Sequence, residues 1–136
     1  MEKNMIHKFY MGVALAAASS MAVANGAAGV WATEAGKDGG HLEITLAPCD
    51  SDSSKTCGKI SKAFNKQGVD SNYENLGKLM VKDMESNDGA NYSGGTIWDP
   101  ENNKTYKSKM HLKGDTLDVE GCVSIFCSGQ DWKRVK

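Results

Sequence analysis

Short runs in which apolar and polar residues alternate are the feature that most constrains the fold of this chain. In the run HLEITLAP, Leu42, Ile44 and Leu46 alternate with other residues, and the runs NKTYKSKMHL and TLDVEGCV continue the pattern. Successive side chains of a β-strand point to opposite faces, so this alternation predicts strands with one buried face and one solvated face. The sequence therefore predicts an all-β protein.

Turn-forming residues separate these runs at distances typical of hairpins. Asp99-Pro100 and Asn102-Asn103 mark a turn inside the run GGTIWDPENNKTYKSKMHL. Two further hairpins are predicted, one across the loop DSDSSKT and one across the turn KGDT. About eight short strands joined in this way favour an antiparallel up-and-down barrel, because closure removes exposed sheet edges.

One segment does not follow the alternation. Ser71 and Glu74 form a capping-box pattern, and the apolar residues that follow lie at helical spacing. Gly77 argues against a long helix, since glycine costs about 1 kcal/mol relative to alanine in a helix interior. Local periodicity therefore predicts a short helix in this part of the chain.

The four cysteines bear on both the fold and the compartment. An immunoglobulin-like sandwich, the competing fold, would carry one cysteine on each of two facing sheets, whereas here they fall in two close pairs at opposite ends of the chain. Each pair lies across the arms of a predicted hairpin, so we expect the disulfides Cys49–Cys57 and Cys122–Cys127. The spacings lack CxxC knuckles with nearby histidines, and we expect no metal ion.

The N-terminus has the features of a signal peptide. Lys3 and Lys8 precede a run of apolar and small residues, which ends in Ala22-Val23-Ala24, a pattern accepted by signal peptidase. We predict a signal peptide over residues 1–24 and a single domain over residues 25–136, without a transmembrane segment. Together with paired cysteines, this predicts a bacterial protein that is exported to the periplasm or secreted.

The two ends of the predicted domain carry matching motifs. Gly29 and Trp31 open it as Gly-x-Trp, and Trp132 and Arg134 close it as Trp-x-Arg. Glycine allows a neighbouring backbone to approach closely, and a guanidinium can stack on an indole face. This arrangement resembles the signature of the calycin superfamily, which includes the lipocalins. We expect the four residues to close and seal the barrel; alternatively, the two tryptophans are only core aromatics.

A more specific resemblance covers residues 29–135. The ordered stretches GVWAT, CGKI, GGTIWDPENNKTY, GDTLDVEGC and DWKRV are similar to the exported bacterial family called domain of unknown function 2147. The resemblance implies a small lipocalin-like barrel in the cell envelope and a strand over Leu79–Glu85, which leaves only a short helical turn at Ser71–Leu76. It carries no catalytic residues onto this chain.

Aromatic and methionine side chains are the candidate ligand contacts. The candidate set is Met80, Met84, Trp98, Tyr106 and Met110. An eight-stranded barrel has an interior just wide enough for packed side chains or for one small ligand. Two hypotheses therefore stay open: an exported barrel that binds a small apolar or amphipathic molecule or an envelope partner, and an interaction module of the cell envelope with a filled core.

Other classes of function have less support from the sequence. The formal net charge of −1 provides no basic excess to attract nucleic acid. His41 and His111 stand apart, without a Ser-His-Asp order or a GxSxG motif. We expect no catalytic residues and no cofactor, and a small enzyme is only the third hypothesis.

Overall fold

A computed structural model of the chain describes residues 26–136, so the predicted signal peptide lies outside the described residues. The described residues form nine β-strands and contain no helix that could cross a membrane. The strands are β1 Gly29–Ala32, β2 His41–Pro48, β3 Thr56–Asn65, β4 Gly68–Val69, β5 Leu79–Met84, β6 Asn91–Asp99, β7 Lys104–Lys113, β8 Thr116–Val123 and β9 Phe126–Arg134.

Eight of these strands close into one antiparallel barrel. The order around the sheet is β2-β1-β9-β8-β7-β6-β5-β3, and β3 pairs with β2 to complete the ring. Strand β4 adds a short hairpin to the end of β3. The predicted all-β up-and-down barrel is confirmed, and a two-sheet sandwich is excluded because all strands belong to one closed sheet.

The strand directions give the barrel two different ends. The segments that lie at the first, which we call the open end, are residues 33–40, 66–78, 100–103 and 124–125. The segments that lie at the second, the closed end, are residues 26–28, 49–55, 85–90, 114–115 and 135–136. The disulfide Cys49–Cys57 lies at the closed end, and Cys122–Cys127 lies at the open end, in the predicted pairing.

The interior of the barrel holds the hydrophobic core. Its largest fully buried side chains are Trp31, Ile44, Leu46, Ile60, Val81, Met84, Leu117, Val119 and Trp132. On β8 the alternation predicted from the sequence is visible, since Leu117 and Val119 are buried while Asp118 between them is less so. Apolar burial of this kind is the main favourable term in the stability of a small domain.

The segment before β1 covers the closed end. Ala27 is fully buried, and its backbone N–H donates to the Tyr92 hydroxyl at 2.9 Å. The Trp31 indole N–H donates to the Ala27 carbonyl at 2.8 Å. Because both polar groups of Ala27 are satisfied by side chains of the core, the chain can seal this end without leaving buried unpaired backbone groups.

Glycine at position 95 permits a close approach between β5 and β6. A Cβ there would collide with the backbone of Lys82 and Asp83 on β5 and with the Met84 sulfur. The ladder between β6 and β7 shifts register between Tyr92 and Gly95. Such bulges increase the local twist of a strand, and this one helps a small barrel to close.

The segment with helical spacing is not helical. Residues 71–77 form consecutive turns, in which the Leu76 N–H donates to the Tyr73 carbonyl and the Lys78 N–H donates to the Asn75 carbonyl. The following residues form β5, as the family resemblance implies. Strand β5 fills the place between β3 and β6, so tertiary pairing outweighs a weak local preference for helix.

Candidate ligand-binding cavity

A cavity of about 1030 Å³ occupies the open end of the barrel. It opens to solvent between the loops at this end and reaches down to the buried core. Sites for small molecules range up to about 1,000 Å³. The interior of the barrel is therefore packed at the closed end, and an open cavity lies toward the open end.

The floor of the cavity is apolar and its polar groups are satisfied. Val119 and Trp132 are nearly fully buried and line the cavity from below. The Trp132 indole N–H donates to the Gln130 side-chain oxygen at 3.0 Å, and the same oxygen accepts the backbone N–H of Glu34 at 3.1 Å. These bonds hold the indole ring in place, so the floor is preorganised rather than free to collapse into the space above it.

Three of the five predicted ligand contacts line this cavity. Met80, Trp98 and Tyr106 belong to its wall. Met84 and Met110 do not; they are buried in the core, with 0% and 2% of their surface exposed. Each lies four residues further toward the closed end than Met80 or Tyr106, which is about 13 Å along a strand.

Trp98 is held at the rim of the cavity. Its indole N–H donates to the Asn103 side-chain oxygen at 3.0 Å, and the Lys78 ammonium lies 5.9 Å from the centre of its ring. In the β6–β7 ladder Tyr106 pairs with Ile97, and Trp98 pairs with Thr105. Ile97, which the sequence analysis did not single out, is therefore the direct neighbour of Tyr106 across the strands.

Further aromatic side chains line the cavity without having been predicted from the sequence. They are Phe64, Tyr73, Phe126 and Trp132. The His41 ring stacks on Phe64, with ring centroids 4.4 Å apart and planes inclined by 5°. Phe64 lies near the end of a run whose alternation is interrupted by a bulge, and Tyr73 lies in a turn, so neither carried a pattern that would mark it as a lining residue.

The mouth of the cavity is acidic. Six carboxylates belong to its lining, those of Glu34, Asp38, Asp70, Glu74, Asp99 and Glu101. Several of them also organise loops: Asp38, Asp70 and Asp99 each accept a backbone N–H two residues further along the chain. Such turns fix the carboxylates on loops that surround the opening.

A disulfide braces one side of the mouth. Cys122 and Cys127 are direct partners in the β8–β9 ladder, and the hairpin tip beyond them exposes three apolar side chains. Val123 is 62% exposed, Ile125 is 84% exposed and Phe126 is 75% exposed. Val123 and Phe126 also line the cavity, so this tip adds an apolar section to the rim.

Three of the four predicted closure residues, Gly29, Trp31 and Arg134, lie outside the cavity lining. Trp31 pairs with Arg134 across β1 and β9, and the guanidinium carbon lies 4.4 Å from the centre of the Trp31 ring. The Arg134 guanidinium also donates to the Ala28 carbonyl at 3.1 Å. Gly29 has a φ of +136°, and a Cβ there would meet the Lys136 carbonyl oxygen and the Arg134 side chain. Trp132 is the exception in position, since it also forms the cavity floor.

Two groups of residues among 26–136 have the spacing of metal ligands, but both depend on disulfide sulfurs. They are Cys49, Cys57 and Asp83, and Glu120, Cys122 and Cys127. The thiolate is the form of cysteine that binds metals, and a disulfide offers none. Neither group is a candidate metal centre.

A closed antiparallel barrel with a covered end and an open cavity is a lipocalin-like fold. A solved structure described as "Protein HP1028 from the human pathogen Helicobacter pylori belongs to the lipocalin family" has the same fold, with a TM-score of 0.62 and 13% sequence identity over 80% of this chain and 82% of that chain. The chain itself belongs to the family described as an uncharacterized protein conserved in bacteria, DUF2147, which matches residues 29–134. No curated protein matches the sequence.

Proposed function

We propose that the protein binds a small, largely apolar or amphipathic molecule in the cavity at the open end of its barrel. The observation that carries the proposal is the cavity itself, about 1030 Å³ above a fully packed floor. A filled-core module of the cell envelope, the alternative from the sequence, would not need such a space. The lipocalin-like fold supports a binding role.

The lining supports an amphipathic rather than a purely polar ligand. The lower part of the cavity is formed by apolar side chains such as Ile97, Val119 and Trp132, and polar groups concentrate at the mouth. An apolar tail would therefore lie on the floor while a polar head remained at the solvated rim. Burial of apolar surface contributes about 25 cal/mol per Å², so a tail of modest length supplies most of the binding free energy.

We further propose that the protein acts outside the cytoplasm, in the periplasm or after secretion. Its two disulfides support this proposal, because such bonds persist in oxidising compartments. The predicted cleavage of residues 1–24 would give a mature chain that starts near Asn25. The intact mass of the exported protein tests cleavage, and a mass that retains residues 1–24 would contradict it.

A cavity-filling substitution tests ligand binding directly. Ser128 lines the cavity on β9 and pairs with Gly121, whose position lies against Ile97 and Tyr106, two further lining residues. We expect Ser128→Trp to weaken the binding of a neutral apolar dye such as Nile red at least about tenfold, since the indole would occupy the space of the ligand. Dye fluorescence in a titration of the purified domain measures this.

The matched control is Lys107→Trp, which introduces the same side chain at an exposed position of β7, two strands away from β9 in the sheet. Lys107 does not belong to the cavity lining, so its variant should bind the dye as the wild type does. Equal binding by all three proteins would place the dye outside the cavity. No saturable binding by the wild type to Nile red or to decan-1-ol would favour the filled-core module.

A further inference from the structure

We propose that the cavity selects cationic amphiphiles, molecules with an apolar tail and an ammonium-like head, over neutral and anionic ones. This inference rests on the proposed binding function and specifies the charge of the ligand. It is carried by the combination of a cavity with an apolar floor, a mouth lined by carboxylates and aromatic faces at the same rim.

The charge of the lining is one-sided. Its six carboxylates are accompanied by no lysine or arginine, and His41 is its only basic residue. Among residues 26–136 the ion pairs are Lys55–Glu85 and Arg134–Asp115, both at the closed end. No carboxylate of the mouth is neutralised by an ion pair within this part of the chain. Lys37, Lys66 and Lys78 lie on the same loops but outside the lining, so the six carboxylates leave the opening with a net negative charge.

The aromatic side chains at the rim suit a cation as well. Trp98 and Tyr106 line the cavity wall near the acidic loops, and Tyr73 lies on the segment that carries Asp70 and Glu74. The faces of such rings attract ammonium groups, by about 0.5–2 kcal/mol at partly desolvated sites. An ammonium head at this level would therefore meet ring faces and carboxylates together.

The chain already places one ammonium group in this environment. The Lys78 ammonium lies 5.9 Å from the centre of the Trp98 ring and 2.8 Å from the Asn75 side-chain oxygen, which accepts its hydrogen bond. Asn75 is a buried polar residue of the cavity lining. The rim is thus chemically suited to hold an ammonium, and Lys78 is the resident cation with which a ligand head would compete.

Three probes with the same ten-carbon tail separate tail binding from head-group selection. They are decyltrimethylammonium, decan-1-ol and decanoate, each kept below the concentration at which it aggregates. At low ionic strength and neutral pH, titration calorimetry should give the order cation, alcohol, anion, with the cation at least about tenfold tighter than the anion. In 1 M NaCl, where the Debye length is about 3 Å, the difference should shrink.

Variants that neutralise carboxylates test whether the mouth of the cavity causes the preference for a cationic head group. Glu74 and Glu101 line the mouth, and no side-chain hydrogen bond among the described residues uses their carboxylates to hold a turn. The double variant Glu74→Gln/Glu101→Gln should weaken the binding of decyltrimethylammonium by about fivefold, as expected for the loss of two charges at about 8 Å in water. Its affinity for decan-1-ol should be unchanged. The matched control Asp50→Asn/Glu85→Gln removes two charges at the closed end and should change neither.

Lys78→Met tests the resident cation from the opposite side. Removing the positive charge of Lys78 should increase the affinity for decyltrimethylammonium. It should also reduce the affinity for decanoate, by a smaller factor. If the alcohol binds but the three probes are not distinguished by charge, the selection proposed here is wrong and the binding function stands. If none of the probes binds, the proposed function itself fails. A preference lost equally in the closed-end control would assign the effect to net charge rather than to the mouth.

Discussion

At the scale of single residues, Arg134 joins the two ends of the described chain. Its guanidinium covers the face of Trp31, donates to the Ala28 carbonyl and lies 3.3 Å from the Asp115 carboxylate. The stacked indole and the carbonyl are the parts that matter for stability, because Asp115 is largely exposed and an exposed ion pair contributes little. One side chain therefore ties β1, β9 and the segment before β1 together.

We predict that Arg134→Ala lowers the free energy of unfolding by about 1–3 kcal/mol, through loss of the stacking and of the donor to Ala28. Urea unfolding of the purified domain measures this. Arg134→Lys should recover only part of the loss, since an ammonium is not planar. The neighbouring exposed residue provides the control: Lys133→Ala should change stability by less than about 0.5 kcal/mol. An Arg134→Ala variant as stable as wild type would contradict the closure role.

Asp88, at the closed end, is a second residue that stabilises the structure around it. Hydrogen bonds from the backbone N–H groups of Asn91 and Ala90 and from the Asn91 side chain hold the pKa of its carboxyl well below its usual range. The folded state therefore favours the ionised carboxylate of Asp88. Its contribution to stability is fully present above the unfolded-state pKa of about 3.9 and is lost as the pH falls through the lower pKa of the folded state.

We therefore expect Asp88→Asn to be less stable than wild type at neutral pH, with a difference that shrinks as the pH is lowered from about 4 toward 2. Urea unfolding across this pH range measures it. Asp50→Asn, which neutralises another carboxylate of the closed end, serves as the control for net charge. A difference that grows in acid would reverse the assignment.

At the scale of elements, the strands and hairpins could be read from the sequence, whereas β5 could not be read from periodicity alone. The alternation of Leu42, Ile44 and Leu46 marks β2 because each strand residue reports its own face. In β5, bulges shift the register of its pairing with β3, and Asp83 has a positive φ. A bulge breaks the alternation of apolar and polar residues from which a strand is predicted, and the position of the bulge is set by the neighbouring strands.

The same physical reason limited the reading of the site. Tyr106 and Met80 line the cavity, but the bulge between Tyr92 and Gly95 sets the register of β6, so Ile97 and not Trp98 stands opposite Tyr106. The depth of Met84 and Met110 depends on which end of the barrel is covered. The covered end is determined by Ala27 and its contacts, and no local sequence pattern predicts these contacts.

The two disulfides staple hairpins of different ends, and we predict different consequences of their removal. In the chain-entropy model, loops this short contribute about 2–3 kcal/mol each. Cys49→Ala/Cys57→Ala should cost this amount plus the packing of the buried Cys49 side chain, without changing dye affinity once the protein is folded. Cys122→Ala/Cys127→Ala should cost less stability and also weaken Nile red binding, since the pair braces a hairpin that lines the cavity.

Urea unfolding and dye titration of both double variants test this, and non-reducing peptide mapping checks the pairing itself. Bridges between Cys49 and Cys127 or between Cys57 and Cys122 would contradict the pairing. Equal effects of the two double variants on dye affinity would contradict the division of the barrel into a closed end and a binding end.

At the scale of the whole molecule, the packed core and the cavity occupy opposite halves of one barrel. The closed half is packed around Trp31, and the open half keeps a cavity of about 1030 Å³ above Trp132. A packed half can hold the strands of the open half in place without side chains filling the space between them. This division explains how a small domain can carry a ligand-sized cavity and still retain a continuous core.

The division predicts opposite phenotypes for two tryptophans. Trp98→Ala should weaken the binding of decan-1-ol at least about threefold with little loss of stability, because Trp98 is half-buried at the rim. Trp31→Ala should cost about 3–5 kcal/mol, because this ring is fully buried, and should leave the affinity of the protein that remains folded unchanged. Calorimetric titration gives the affinities, and urea unfolding gives the stabilities. For wild type, saturating decan-1-ol should also raise the melting temperature, as expected for a ligand that binds only the folded state. A folded Trp31→Ala variant that loses as much affinity as Trp98→Ala would place the binding site in the closed half instead.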